Sequence, residues 1–230
     1  NTMSVVAELK DPIDGDILQG VVQELSARYP YFYIKAVAKD NDIYTQPNPL
    51  PMTVRNTWDP IRFNSQESNY HLAAWKYEGM RMAFEISHSL TDGAGVFPYI
   101  KSALYLYLTR KTGVTLDPTG IRLPGDVIPA SETGNPFARL DIDAAEEPLY
   151  TKQTVEDFYR LKQGEDTAPQ VHHIKLKEEQ LIRYCKDFDG SPNAMIAVML
   201  ARAAKRYDPD NEKTISVSVA IDHKAMLEVD

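Results

Sequence analysis

A histidine, an aspartate and a glycine occur together in the short segment His88-Ser-Leu-Thr-Asp92-Gly93. The unperturbed pKa of histidine lies near neutrality, so an imidazole can take up and return a proton at physiological pH. Loops that a rigid scaffold supports carry many of the catalytic groups of enzymes. The segment therefore makes His88 a candidate general base.

The residues around this segment predict a strand before it and a helix after it. Residues 82–87 alternate apolar and polar side chains, which is typical of a half-buried strand. Together with residues 70–77 and the Glu78-Gly79 pair, they predict a hairpin whose second strand leads to His88. A helix is predicted after Gly93, because apolar residues recur there at helical spacing. These apolar residues are Val96, Phe97, Ile100, Ala103, Leu104, Tyr107 and Leu108.

The rest of the chain predicts alternating strands and helices. Strands are predicted at residues 4–9, 31–39, 170–176 and 214–221. Helices are predicted after an N-cap at Asp14 or Asp16, within residues 149–161, and at residues 177–188 and 191–206. Residues 47–60 carry four prolines and predict an irregular connection, and residues 112–144 predict a long surface excursion.

Composition excludes several classes of partner. The chain has 230 residues and a net charge of −8, with no cluster of Lys and Arg, which argues against a nucleic-acid partner. No apolar run is long enough to span a bilayer, so a soluble protein without a membrane span is expected. Cys185 is the single cysteine, and its helical surroundings favour a buried thiol without a role over a nucleophile. One cysteine and no secretory leader predict a cytoplasmic location.

Other common sites are not indicated by the sequence. His88 and Asp92 lack the further ligands that a zinc site needs, so no metal is expected. His172 and His173 are adjacent on a predicted strand and would point to opposite faces. The sequence also has no Gly-x-Ser-x-Gly elbow, no P-loop and no dinucleotide-binding fingerprint.

Several motifs, in this order, resemble the chloramphenicol acetyltransferase-like superfamily. This superfamily includes condensation domains of nonribosomal peptide synthetases, plant-type acyltransferases and bacterial alcohol acetyltransferases, and the chain is most similar to the last group. The motifs are Asp11-Pro-Ile-Asp-Gly15, Arg28-Tyr29-Pro30, Phe84-Glu-Ile-Ser-His88-Ser-Leu-Thr-Asp92-Gly93, Ser191-Pro-Asn-Ala194 and Ser216-Val-Ser-Val-Ala-Ile-Asp222-His-Lys224. The second lobe of relatives is largely missing, so the chain is expected to be the N-terminal half of a longer protein.

The resemblance implies an α/β fold of the α+β sandwich kind, with a mixed β-sheet flanked by helices. Residues 1–165 would form the N-terminal acyltransferase lobe that carries the HxxxDG motif. Residues 166–230 would form the incomplete start of a second, similar lobe.

The resemblance also assigns roles to single residues. His88 would be the catalytic base, and Asp92 would brace its loop by pairing with an arginine of the second lobe. Lys224 stands in the corresponding stretch and is the candidate partner, although lysine cannot offer the two-pronged hydrogen bonding of arginine. Gly93 would be required because the backbone packs closely there.

The implied reaction moves a short acyl group from a coenzyme A thioester to an alcohol or amine. No tightly bound cofactor is expected, and acyl-CoA or an acyl-carrier thioester would be the co-substrate. Expected partners are a small-molecule acceptor, the acyl donor, and the missing C-terminal lobe or another chain. Ser87 stands where condensation domains often have a second histidine, which favours acetylation of an alcohol or amine.

Two other functions stay open. One is a condensation-type domain that uses carrier-bound acyl groups, and the other is a non-catalytic interaction lobe. The motif could also have a purely structural role, in which His88 is buried and hydrogen-bonded and Asp92 caps the next helix. If the second lobe is incomplete, the isolated chain is expected to expose apolar surface and to associate.

Overall fold

The structure is a computed structural model that describes residues 2–134, 155–161 and 174–219. The described residues divide into two units, one within residues 2–134 and the other within residues 155–219. The boundary predicted between residues 165 and 166 lies outside the described residues and stays a prediction.

The strands of the first unit form a mixed four-stranded sheet and a separate hairpin. They are β1 (Thr2–Glu8), β2 (Ile34–Lys39), β3 (Asp42–Pro47), β4 (Val54–Asn56), β5 (Ala73–Glu78) and β6 (Arg81–Ser87). The sheet has the order β1-β6-β5-β4, in which only the β4–β5 pair is parallel. β2 and β3 form the hairpin. The predicted β5–β6 hairpin is therefore confirmed, and its second strand is central in the sheet.

Helices occur in both units. They are α1 (Gly15–Leu25), α2 (Gly93–Thr112) and α3 (Ala130–Thr133) in the first unit, and α4 (Glu178–Asp187) and α5 (Pro192–Tyr207) in the second. Asp14 caps α1 as predicted, because its Oδ1 accepts from the amides of Asp16 and Ile17 at 3.0 Å. The Ser191 side chain caps α5 in the same way. None of the helices in the described ranges combines the length and apolar character needed to cross a bilayer.

The core of the first unit lies between the two long helices and one face of the sheet. Its buried side chains from these elements include Leu18, Val21, Val22, Leu25, Trp75, Met82, Phe84, Ile86, Val96, Tyr99, Ile100 and Tyr107. Tyr99 is central, because its hydroxyl accepts from the Trp75 indole at 3.1 Å and lies 3.0 Å from the Tyr33 hydroxyl. Burial raises the pKa of Tyr99 to about 12. A mixed sheet with packed helices confirms the predicted α/β class.

The opposite face of the sheet carries a buried ion pair. The Nζ of Lys76 lies 2.6 Å from the carboxylate of Glu85, and both side chains are largely buried. Lys76 also donates to the carbonyl oxygen of Trp58 at 3.1 Å. Two cations lie close to the Trp58 ring: Nζ of Lys76 is 5.1 Å from the ring centroid, and the Arg81 guanidinium is 3.9 Å from it. The ion pair is therefore held in one geometry on the strand that leads to His88.

A second buried ion pair joins the end of α1 to α3. Both terminal nitrogens of Arg28 donate to the carboxylate of Glu132 at 2.8 Å, and the hydroxyl of Tyr31 donates to the same carboxylate. Arg122 approaches this carboxylate at 3.2 Å. Burial alone would raise the pKa of Glu132, but the hydrogen bonds from Arg28 and Tyr31 outweigh it and hold this pKa below its usual value. The carboxylate is thus ionised and shared by two arginines.

Five sequence predictions differ from the structure. The irregular connection predicted at residues 47–60 contains the short strand β4, which pairs in parallel with β5. The strand predicted at residues 31–39 begins only at Ile34, because Pro30–Phe32 forms a 3₁₀ turn that places Phe32 in the core. The short helix predicted within residues 149–161 is absent from residues 155–161, and residues 149–154 lie outside the described ranges.

The strands predicted at residues 170–176 and 214–221 are wrong for their described parts, residues 174–176 and 214–219. Thr214 forms only an isolated parallel bridge with Phe158. An alternating pattern shows that a segment suits a half-buried strand, but a strand forms only where a neighbouring strand completes its hydrogen bonds. In the described part of this unit, that bridge is the only such pairing.

Candidate active site

His88 follows the central strand β6 directly and begins a tight turn. The turn is closed by a hydrogen bond from the Leu90 amide to the Ser87 carbonyl oxygen at 3.0 Å. β6 is held between β1 and β5, and the Ser87 amide also donates to the Leu72 carbonyl oxygen at 2.8 Å. The end of β6 before His88 is therefore held by β1 along one edge and by Leu72 along the other, as the positioning of a catalytic residue would require.

The two histidines in the described residues have different surroundings. His88 is exposed, whereas His71 is fully buried with its Nε2 2.7 Å from the carbonyl oxygen of Leu50. Burial lowers the pKa of His71, although the hydrogen bond to Leu50 opposes this effect. His71 has the features of a structural histidine. The interpretation of His88 as a buried histidine does not agree with its exposure.

Asp92 is the N-cap of α2. Its Oδ1 accepts a hydrogen bond from the Gly95 amide at 2.8 Å, which satisfies one of the free donors at the start of the helix. A carboxylate is also favoured there by the helix dipole. The capping role considered for Asp92 is thus present in the structure. Its expected partner Lys224 lies outside the described residues, so that ion pair stays a prediction.

The crowded glycine of this loop is Gly95. A Cβ atom added at Gly93 would meet no described atom within 4 Å, whereas one added at Gly95 would lie 2.2 Å from Oγ1 of Thr91. The close packing expected at Gly93 is therefore not found among the described residues. The sequence could have indicated a role for Gly95. An N-cap side chain accepts a hydrogen bond from the amide two or three residues later, and Gly95 is three residues after Asp92.

The side chains next to the turn include groups that sequence reasoning did not single out. Oγ of Ser87 lies 2.8 Å from Oγ of Ser89, on either side of His88. On β1, Thr2 is opposite Ser87 and Ser4 is opposite Glu85. These neighbours could not be identified from local pattern, because the pairing of β1 with β6 joins distant parts of the chain.

Two further sequence predictions concern the second unit and metal binding. Cys185 is buried as predicted, with its Sγ 3.9 Å from Sδ of Met195. It borders an apolar groove of about 590 Å³ between α4 and α5. Within the described ranges, no group of three or more His, Cys, Asp or Glu side chains is arranged to hold a metal ion. His172 and His173 lie outside these ranges.

No protein-family model matches the chain, and no curated protein matches it. Among solved structures, it is similar to the starter condensation domain of rhizomide synthetase RzmA, at 10% identity and a TM-score of 0.38 over 55% of this chain and 34% of that one. It is similar to SgcC5 from Streptomyces globisporus at 13% identity and a TM-score of 0.38, over 51% and 32%. Polyketide synthase associated protein 5 from Mycobacterium tuberculosis matches at 15% identity and a TM-score of 0.38, over 56% and 32%. The matched part spans about a third of each of these structures.

Proposed function

We propose that the protein is an acyltransferase that moves a short acyl group from a coenzyme A thioester to an alcohol or amine, with His88 as general base. The observation that carries this proposal is the exposed His88 at the end of the central strand β6, directly before a helix capped by Asp92. His88 is thus attached to a strand held on both sides in the sheet, and its exposed side chain can be reached by a substrate.

The chemistry needs only this group and two substrates. The His88 imidazole removes the proton from the acceptor hydroxyl or amine, whose lone pair attacks the thioester carbonyl carbon. The carbon–sulfur bond then breaks, and the imidazolium returns its proton to the departing thiolate. The products are an ester or amide and the free thiol, so no tightly bound cofactor is required.

Asp92 acts on the loop and not on the substrate in this proposal. Its cap on Gly95 fixes the start of α2 and thereby the end of the loop that carries His88. An ion pair with Lys224 would add a second restraint, and Gly93 would accommodate the loop between His88 and the helix.

A non-catalytic interaction lobe is the second candidate function. It is favoured by α5, in which none of the sixteen residues is buried and several large apolar side chains are exposed. A condensation-type enzyme differs from the main proposal only in its donor, which would be an acyl group on a carrier protein. The same assay can compare all three functions.

The decisive experiment measures thiol release from acetyl-CoA with a panel of alcohols and amines, using the full native polypeptide and its His88→Ala variant. We expect release that depends on the acceptor and that falls by about 10²–10⁴-fold in the variant, since this is the usual contribution of a general base. The matched control is Lys101→Gln, which changes an exposed position on α2 outside the turn and should retain the activity.

Equal activity of the wild type and His88→Ala would rule out His88 as the base. If acetyl-CoA gives no release, an acyl-carrier thioester replaces it in the same assay. Release that then depends on His88 would assign the condensation-type reaction. No transfer from either donor would favour the interaction lobe.

A further inference from the structure

The segment that holds the end of β6 follows a strained turn. The Ser87 amide, directly before His88, donates to the Leu72 carbonyl oxygen at 2.8 Å. Shortly before Leu72, Tyr70 has a φ of 64° and Asn69 a φ of 48°. Asparagine adopts this left-handed conformation readily, but a bulky residue such as tyrosine does so only at an energetic cost. Other contacts must therefore keep this turn closed.

His71 supplies several of these contacts, because it lies between the turn and Leu72. Its amide donates to the Ser68 carbonyl oxygen at 3.0 Å, and its carbonyl oxygen accepts from the Asn64 amide at 2.9 Å. Its Nε2 lies 2.7 Å from the carbonyl oxygen of Leu50. A carbonyl oxygen can only accept, so Nε2 carries the proton of the neutral ring. His71 thus ties together three stretches of chain next to the end of β6.

The other ring nitrogen of His71, Nδ1, is buried and has no hydrogen-bond partner among the described residues. Tyr33 is the titratable side chain whose ring contacts the imidazole, at 5.9 Å between ring centroids. Burial raises the pKa of Tyr33 well above its usual value, so Tyr33 is neutral. Protonation of Nδ1 would place a charged N–H donor in this site without an acceptor, which is unfavourable. Burial accordingly lowers the pKa of His71, against the opposing effect of the hydrogen bond to Leu50.

We infer that His71 is a positioning residue for His88: its neutral imidazole keeps Leu72 paired with Ser87, and its protonation releases this hold. The inference rests on the proposed function and deepens it, because it adds a second group whose protonation lowers the activity. A protonated ring must leave its buried site to reach water, which breaks the bond to Leu50. The strained turn then relaxes, and the Leu72 carbonyl oxygen separates from the Ser87 amide.

The direction of the pH dependence follows from the two forms of His71. The opened form takes up a proton near pH 6.5, the ordinary pKa of histidine, whereas the closed form does so only at lower pH. The free energy that favours the closed form is therefore constant above about pH 6.5 and declines as pH falls toward the lowered pKa. Acidification thus opens this end of the sheet.

The first test measures hydrogen exchange of the Ser87 amide in the full native polypeptide between about pH 5 and pH 8. After correction for the intrinsic pH dependence of exchange, we expect its protection factor to be constant above about pH 6.5. Below this it should fall by up to tenfold per pH unit, since one proton is taken up on opening. The Leu9 amide, which donates to Met80 at the opposite end of β6, is the internal control and should not respond.

The matched variants are His71→Gln and His71→Leu. Glutamine keeps an N–H donor for the Leu50 carbonyl oxygen without a titrating group, so the Ser87 amide should stay protected at every pH. Leucine lacks the donor, so protection should be low already at pH 8. In thiol release, the acid limb of kcat/KM should become steeper than tenfold per pH unit in the wild type, because His88 and His71 must both be unprotonated. In His71→Gln it should stay tenfold per unit.

A Ser87 protection factor that does not change with pH in the wild type would overturn the inference. An equal decline at Ser87 and Leu9 would also overturn it, because the whole unit would then be opening. Thiol release that depends on His88 would persist in both cases, and the proposed function would stand. If the wild type releases no thiol from either donor, the proposed function fails and the role of His71 in catalysis fails with it, whatever the Ser87 amide does.

Discussion

At the scale of single residues, the Glu132 carboxylate is held by several partners away from the candidate site. It accepts from both terminal nitrogens of Arg28, whose side chain is 2% exposed, and its own side chain is 5% exposed. Removing one member of a buried ion pair leaves the other charge without compensation, which typically costs more than the pair contributes. This pair ties the Arg28-Tyr29-Pro30 segment after α1 to α3.

We predict that Glu132→Gln lowers the free energy of unfolding by about 3 kcal/mol at neutral pH. The pKa of Glu132 is lowered in the folded state, so its stabilising contribution is present above the ordinary carboxyl pKa and is lost as pH falls through the lowered value. The difference between wild type and variant should therefore shrink on acidification. Denaturant unfolding measured at a series of pH values checks this.

The control for this prediction is Glu78→Gln, which breaks the exposed pair with Arg81 and should cost less than about 1 kcal/mol. A difference between wild type and Glu132→Gln that does not change with pH would contradict the ionised state assigned to this carboxylate.

At this scale the sequence predicted His88, Asp92 and Cys185, because each stands out within its local pattern. It did not predict the partner of Arg28 or the register between β1 and β6. Arg28 meets Glu132, and Ser4 meets Glu85, only through the tertiary fold. The local pattern around each of these residues carries no information about a partner so far along the chain.

At the scale of elements, the start of α2 decides how the loop of His88 ends. The Asp92 carboxylate accepts from the Gly95 amide, and Gly95 has no room for a Cβ beside Thr91 in its present rotamer. The loop is thus restrained by a hydrogen bond and by a close contact. The resemblance assigned the bracing role of Asp92 to an ion pair instead.

Two substitutions of Asp92 separate the cap from the ion pair. Asp92→Ala should lower the free energy of unfolding by about 1 kcal/mol, whereas Asp92→Asn should retain most of it, because asparagine caps a helix about as well as aspartate. Thermal or denaturant unfolding of the three proteins measures this. An ion pair as the main restraint would instead make Asn as harmful as Ala.

The helices and the hairpin could largely be predicted, because their hydrophobic periodicity, caps and turn residues lie close together in the sequence. The β5–β6 hairpin and helices α1, α2, α4 and α5 all agree with their periodicity and caps. The errors fall at Pro30–Phe32, at Val54–Asn56, and at residues 155–161, 174–176 and 214–219. At Pro30–Phe32 an aromatic side chain is buried by a turn, and Val54–Asn56 is a strand because it pairs with β5. At residues 174–176 and 214–219 no described strand lies alongside to pair with.

At the scale of the whole molecule, the second unit leaves much apolar surface uncovered. On α5, Val198 and Met199 are 58% and 57% exposed, and Phe188, directly after α4, is 71% exposed. Contiguous apolar surface of this kind usually associates with other surfaces. This agrees with the sequence-based expectation of exposed apolar surface.

We predict that this 230-residue chain binds an apolar dye and associates in static light scattering. The Val198→Gln/Met199→Gln variant should bind less dye and shift toward the monomer, because it removes two neighbouring apolar side chains without changing the charge. Arg206→Gln, at an exposed position on the same helix, serves as the control and should behave as the wild type. A monomeric wild type without dye binding would contradict the prediction.

The pairing of β1 with β6 also has a consequence for the order in which the first unit can assemble. β5 and β6 are joined by a two-residue turn with Gly79 at a positive φ, so their pairing closes a very short loop. β1 must pair across nearly the whole intervening sequence, and the entropy lost in closing a loop grows with its length. The strand that leads to His88 is therefore positioned by a local pairing with a small loss of loop entropy. The strand on its other side, β1, is positioned by the pairing with the longest sequence separation in the sheet. Conditions that weaken the docking of β1 would separate it from β6 while the β5–β6 hairpin still ends at His88.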